Sequence, residues 1–411
     1  MESAQFRLTA AQSAFCARVR ALAETDLAPL AAAGAPGRVN RPLLAAMGRH
    51  GLLARLFPGA AAVGSGTTEA TGATATGGDP GVRPPQQPGS DADHRAEAAA
   101  LDLCLLRESL AQVSTEAETA LALQGLGTYP VVQNGSEEQV SHWLPKVVAG
   151  TAVAGFALSE PGSGSDAASL SLAATPSGDG WTLTGEKIWI SNAPEADFYS
   201  VFARTTPGAG SRGVTAFLVP ADRPGLGGEH LEMISPHPIG RLTFDAVPVT
   251  RADLLGTVDQ GFGVAMRTLD LFRPSVGAFA VGMAQAALDA SISHAARREA
   301  FGGVLKDLQA VSHSLAEMAT RTEAARLLVY SAAEAYDTGE KHIAARSAMA
   351  KLFATETAQY VIDTAVQIHG AAALQHGHLL EHLYREVRAP RIYEGASEVQ
   401  RTIIGRELYR G

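Results

Sequence analysis

From about Thr151 to Leu255 the apolar residues change their spacing from every third or fourth position to every second, and after Phe262 they change back. This switch constrains the fold most, because strand side chains alternate faces while helix faces recur about every 3.6 residues. Before the switch, Phe6, Phe15, Val19 and Leu22 and then Leu43, Met47, Leu52 and Leu53 follow the helical period from Ser3 to about Leu56. Helix resumes from about Ala96 through Leu126, Pro130 and Asn134-Gly135 mark a turn, and a shorter helix runs from Ser136 to Val148. Within the switch, AVAGFAL, WTLTGEKIWI, FYSVFART, VTAFLVP and RLTFDAV alternate between Gly, Pro, Asn and Asp clusters, which predicts an antiparallel barrel or sandwich. After it, Leu269–Ala295, Gly303–Tyr336, Ala344–Ile368 and a run from Leu379 to Arg385 are helical. The expected fold class is α+β, mostly α: an amino-terminal helical domain over 1–150, a middle β domain over 151–256 and a carboxy-terminal four-helix bundle over 257–411.

Gly59 to Asp93 interrupts this pattern with Gly, Ala, Thr, Ser and Pro and almost no large apolar residue. Such a stretch buries too little surface to offset its ordering entropy, so it is expected to be a flexible surface insertion.

Charge and cysteines narrow the function classes. A net charge of −9 disfavours nucleic acid as a partner. Two cysteines, Cys16 and Cys104, make neither a disulfide framework nor a metal cluster, and they suit a reducing cytoplasmic setting. No membrane span is expected, since no apolar run approaches the roughly 20 residues one requires. The first residues mix Glu2 with Arg7, Arg18 and Arg20, unlike a secretory or transit leader.

Five stretches carry candidate chemistry, and each has a plainer reading. ALSEPGSGSD (157–166) is a small-residue loop after a β run; it is a simple turn, or it offers backbone N–H groups and hydroxyls to a planar or anionic ligand. GEKIWISNA (185–193) puts Trp189 beside Ser191 and Asn192; the tryptophan is core packing, or it stacks on an aromatic cofactor. RREAFG (297–302), with Gln309 downstream, holds exposed arginines or a fork for pyrophosphate. VQIHGAAAL (366–374) ends a helix at Gly370, with Gln367 and His369 facing solvent or a ligand. RIYEGASEVQR (391–401) puts Glu394 before a Gly and a helix start, where it favours the helix dipole or meets a ligand closely.

Together and in this order, the five stretches resemble the acyl-CoA dehydrogenase family from about Ala96 to Gly411. The pair SEPGSGSD and RIYEGASEVQR carries the resemblance. It implies an FAD-dependent oxidoreductase acting on the CH–CH group that desaturates an acyl thioester at Cα–Cβ, with Glu394 as the base. It further implies that Phe156, Leu158, Ser159 and Ser165 wrap the isoalloxazine, Ser165 also touching the pantetheine. Trp189, Ile190 and Ser191 would cover the flavin, with Ser191 near N5. Arg298, Phe301 and Gln309 would hold the pyrophosphate and adenosine side of a neighbouring subunit's FAD. Gln367, Ile368, Gly370 and Ala371 would complete that site, with Ala396 and Ser397 on the flavin side. Asp270, Arg273 and Gly395 match substrate-contacting positions. Phe272 occupies the place where some members carry the base, and it accepts no proton, which leaves Glu394. The implied partners are an acyl-CoA or acyl-carrier thioester, an electron-transfer flavoprotein and further copies of the chain in a homodimer or homotetramer. The helix with Leu121, Leu123 and Gln124 is expected to line the pocket floor.

Ala371 and Ala372 replace a usual Gly motif, and Ala396 replaces a common Thr. Two other readings follow: a flavin oxidase or carrier-bound thioester dehydrogenase on the same fold, and a helical assembly protein without cofactor.

Overall fold

A computed structural model of the chain describes residues 8–57, 99–340 and 343–409. The expected insertion, 59–93, lies outside the described residues. At the amino end, α1 (Ala10–Leu22) begins with a Thr9–Gln12 capping box and continues through a π turn into α2 (Ala28–Ala33). In α3 (Arg41–Arg49) the side chain of Asn40 accepts from the N–H of Leu43 at 3.0 Å.

The helix expected from Ala96 to Leu126 is two helices, α4 (Ala100–Ala111) and α5 (Thr115–Asn134). Ser114 separates them, its hydroxyl accepting from the N–H of Ala117 and capping the second. Pro130, expected in a turn, sits inside α5. Proline lacks the N–H that would serve the Leu126 carbonyl, and one residue along the same turn Ser200 Oγ donates to the Gly127 carbonyl at 2.8 Å. A Ser136–Gln139 capping box opens α6 (Glu137–Val148).

The middle of the chain forms one seven-stranded sheet: β1 (Ala154–Ala157), β2 (Ala173–Ser177), β3 (Gly180–Ser191), β4 (Phe198–Arg204), β5 (Val214–Pro220), β6 (Leu226–His230) and β7 (Ile239–Val249). The order is β1-β4-β2-β3-β7-β6, with β5 on β4. Most pairs are antiparallel, but β1 runs parallel to β4. Alternation reports which face a residue occupies, not strand direction, so this pairing is invisible in the sequence.

The carboxy-terminal part comprises α7 (Gly261–Arg297), a hairpin of β8 (Glu299–Ala300) and β9 (Gly303–Val304), then α8 (Gln309–Asp337), α9 (Ile343–His369), α10 (Leu379–Glu386) and α11 (Ser397–Glu407). The helix expected from Gly303 starts at Gln309 instead. Phe301 and Gly302 adopt positive φ (53° and 80°) and turn the chain into the hairpin. Among the described residues α7 alone is long and apolar enough to cross a membrane, and 78% of its most apolar window is buried inside the fold. It is the core helix, packed on α4, α5, α8 and α9. Its Phe272 approaches α5 so closely that a Cβ on Gly125 would lie 2.7 Å from the ring.

Candidate active site

Glu394 stands between the short 3₁₀ turn Ala389–Arg391 and α11, with φ 50°, and Gly395 follows at φ 94°. Sequence reasoning placed the unusual backbone at the glycine alone; the strain begins one residue earlier, at the glutamate. The turn is held from behind. Lys351 Nζ donates to the Gly395 carbonyl at 2.7 Å, and Gln400 Nε2 donates to the same oxygen at 2.8 Å. Glu394 Oε2 is enclosed and has no hydrogen-bond partner. A buried acceptor left open in this way is poised for a group the chain does not supply.

The electrostatics around it are built from several elements. Burial pushes the Glu394 carboxyl above its ordinary range, against the opposing pull of Arg107, Lys351 and Arg273. Arg107 on α4 is 3% exposed and pairs with Glu118 on α5, itself 1% exposed. Lys351, enclosed in α9, is pushed down to about 8, chiefly by burial. Arg273 also binds Asp270 at 2.7 Å, so the two substrate candidates on α7 form an ion pair. Glu386 on α10 is buried and pushed up to about 8, by burial and then by Glu116.

The loop after β1 is organised by another buried pair. Glu160 accepts from Lys187 Nζ at 2.7 Å, from the Ser171 N–H and hydroxyl, and from the Leu172 N–H. Lys187 also donates to the Leu158 carbonyl at 2.9 Å. This leaves Gly162 and Gly164 facing open space and encloses the Ser163 hydroxyl without a partner. Phe156 packs on Phe202 behind the loop, Ser159 is half-buried and Ser165 is exposed.

β3 pairs irregularly with β7 between Lys187 and Ile190, where Trp189 has φ 57° and is 49% exposed. The bulge turns the indole out of the core, so the plain packing reading fails for this residue. Ile190 is buried beside it, and Ser191 Oγ lies 3.0 Å from His237 Nε2.

At the far end of α7, His294 stacks on His369 at 4.1 Å, which joins the Arg298 segment to the end of α9. Arg298, Phe301, Gln309, Gln367, Gly370 and Ala371 are exposed there, Phe301 by 93%, while Ile368 is half-buried. Gly370 has the positive φ (64°) of a helix-ending glycine. Ser397 spends its hydroxyl on Glu356 at 2.6 Å, and Ala396 is the N-cap residue of α11. On α5 Leu121 is wholly buried, while Thr115, Glu116, Thr119, Ala120 and Gln124 line a cavity shared with Asn192, His237 and Glu386.

Sequence reasoning missed Arg107, Glu118, Lys351, Glu386 and His237. The signal was present for two of them: a charge inside an apolar helical run, as in LCLLRESL and AMAKLFA, survives burial only with a partner.

The comparisons with known proteins fit this geometry. Models of the acyl-CoA dehydrogenase amino-terminal, middle and carboxy-terminal domains match residues 90–151, 155–247 and 259–409. The chain belongs to the acyl-CoA dehydrogenase family. A probable acyl-CoA dehydrogenase of Mycobacterium tuberculosis is 39% identical over 310 residues, 75% of this chain and 80% of that one. The structure of butyryl-CoA dehydrogenase from Megasphaera elsdenii superposes with a TM-score of 0.83 at 31% identity, over 98% of this chain and 99% of that one. A structure described as PigA with FAD and proline gives 0.85 at 26% identity, over 99% and 100%.

This acyl-CoA dehydrogenase is therefore an FAD-dependent oxidoreductase, and its residues fit the cofactor. The open glycine loop, the unpartnered Ser163 hydroxyl and the outward Trp189 provide a polar, flat-sided setting.

Proposed function

We propose that Glu394 is the catalytic base that takes the α-proton of an acyl thioester on its Oε2. The observation that carries this reading is the enclosed, unpartnered Oε2 at a strained turn. A thioester α-proton is far less acidic than a carboxylic acid, so the enzyme must stabilise the enolate that forms. The Glu394 N–H, presented by the turn that Lys351 and Gln400 brace, is the donor for the thioester carbonyl. Arg107, Lys351 and Arg273 keep the buried carboxylate ionised while burial raises its basicity toward working pH. FAD, when bound, supplies the acceptor for the β-hydride.

In this reading the 156–165 loop, Trp189, Ile190 and Ser191 hold the flavin, and Ser165 meets the pantetheine. Arg298, Phe301, Gln309 and the 367–371 segment reach a second subunit's cofactor, as their exposure allows, which makes the working form a homodimer or homotetramer. The exposed Trp189 marks the face for an electron-transfer flavoprotein. The cytoplasm is the proposed setting, where Cys16 and Cys104 stay free thiols.

Anaerobic mixing with a series of acyl-CoAs tests the reading. The wild type bleaches the flavin with its substrate, and Glu394→Gln slows bleaching on the order of 100-fold or more with FAD still bound. Equal bleaching rates in both proteins would refute the assignment of the base.

A further inference from the structure

Ser191 ends β3, and the loop between β6 and β7 grips it and its neighbour. His237 Nε2 meets the Ser191 hydroxyl at 3.0 Å, and the Pro238 carbonyl accepts from the Asn192 N–H at 2.7 Å. Pro236 and Pro238 flank the histidine and restrict its backbone. Arg385 on α10 donates to the Ile234 carbonyl at 3.3 Å and ties the loop to the carboxy-terminal helices. The imidazole also forms part of a cavity wall with Asn192, Gln124 and Glu386. Burial pushes His237 down to about 4, so it is neutral at physiological pH.

A neutral imidazole nitrogen either donates or accepts, and a serine hydroxyl has one proton. If His237 Nε2 carries the hydrogen, Ser191 accepts it and its own proton points elsewhere. If Nε2 is bare, Ser191 donates to it and presents only a lone pair on the other side. The tautomer of one histidine thus fixes the polarity of one hydroxyl. Oxidised flavin N5 accepts a hydrogen bond and reduced N5 donates one, so both polarities have a use. We propose that His237 is a positioning residue that sets whether the Ser191 hydroxyl offers a donor or an acceptor to the flavin. The proposal rests on the reading of Ser191 as a cofactor contact.

The test compares purified FAD-loaded wild type, His237→Leu, His237→Gln, Ser191→Ala and the Ser191→Ala/His237→Leu double variant. Two readouts are taken besides turnover: the visible flavin spectrum, and the reduced-to-oxidised ratio at equilibrium with a reference dye. His237→Leu is expected to change that ratio about tenfold, the scale of losing a partner that orients a functional group. His237→Gln, which keeps both a donor and an acceptor, stays within about threefold of wild type. Because His237 acts through Ser191, the double variant matches Ser191→Ala alone. An unchanged ratio and spectrum in FAD-loaded His237→Leu overturns the proposal, as do additive effects in the double variant. Ser191→Ala indistinguishable from wild type overturns it together with the cofactor role of Ser191. Wild-type protein that takes up no FAD instead overturns the reading beneath both.

Discussion

Arg107 Nη1 donates to Ser275 Oγ at 2.6 Å while its Nε binds Glu118, so one guanidinium ties α4 to both α5 and α7 beside the Glu394 carboxylate. Ser275 Oγ donates its own hydrogen bond to the Phe272 carbonyl at 2.7 Å, which fixes the hydroxyl and hence the arginine. The charges around Glu394 therefore come from four helices: Arg107 on α4, Glu118 on α5, Arg273 on α7 and Lys351 on α9.

This arrangement predicts the direction of a pH shift. A carboxylate acts as a base only when ionised, so with Glu394 as the proposed base kcat/KM falls as pH drops through its raised pKa. Arg107 is the largest opposing influence, and Arg107→Met removes it. The acidic limb of the kcat/KM profile should then move to higher pH. Stopped-flow bleaching from pH 5 to 9 checks it, and a limb that stays put or moves down contradicts the role.

Glu386 predicts a pH effect on stability. Its folded-state carboxyl titrates at about 8 against an ordinary 4.5, so between those values the unfolded chain releases a proton that the folded chain retains. The native state then binds more protons, and stability falls as pH rises through that window. Glu386→Gln mimics the protonated form. Its Tm should gain on wild type progressively from pH 5 to 8, by a free energy on the order of 2–4 kcal/mol at the upper end. A constant Tm difference across that range would show that Glu386 is not the titrating group.

The Glu160–Lys187 pair predicts that the 156–165 loop is held by charge. Lys187 is wholly enclosed, so Lys187→Met leaves Glu160 buried without its counterion. The expected loss is about 3–5 kcal/mol in urea unfolding, with weaker FAD retention. Glu160→Gln in the same chain should recover part of the stability, since no lone charge then remains. Recovery of neither stability nor FAD in the double variant would mean that the pair serves packing alone.

The order of helical, β and helical segments was legible in the sequence because burial of one face writes a period into each element. The candidate base was legible too, through the RIYEGASEVQR stretch, and so was the helix end at Gly370. The Phe301–Gly302 hairpin was not, since nothing in RREAFG distinguishes a helix end from a turn with a non-glycine at positive φ. The parallel β1–β4 pair also escaped, because it depends on a partner far along the chain, and so did the placement of Pro130 inside α5. The site divides in the same way. Sequence by itself singled out the candidate carboxylate, loop and tryptophan, because those residues sit in short contiguous stretches. Tertiary structure alone decided the surroundings: Arg107, Glu118, Lys351 and His237 come from four separate segments. A charge becomes a counterion, and a histidine a positioning group, only when folding removes the water between it and its partner.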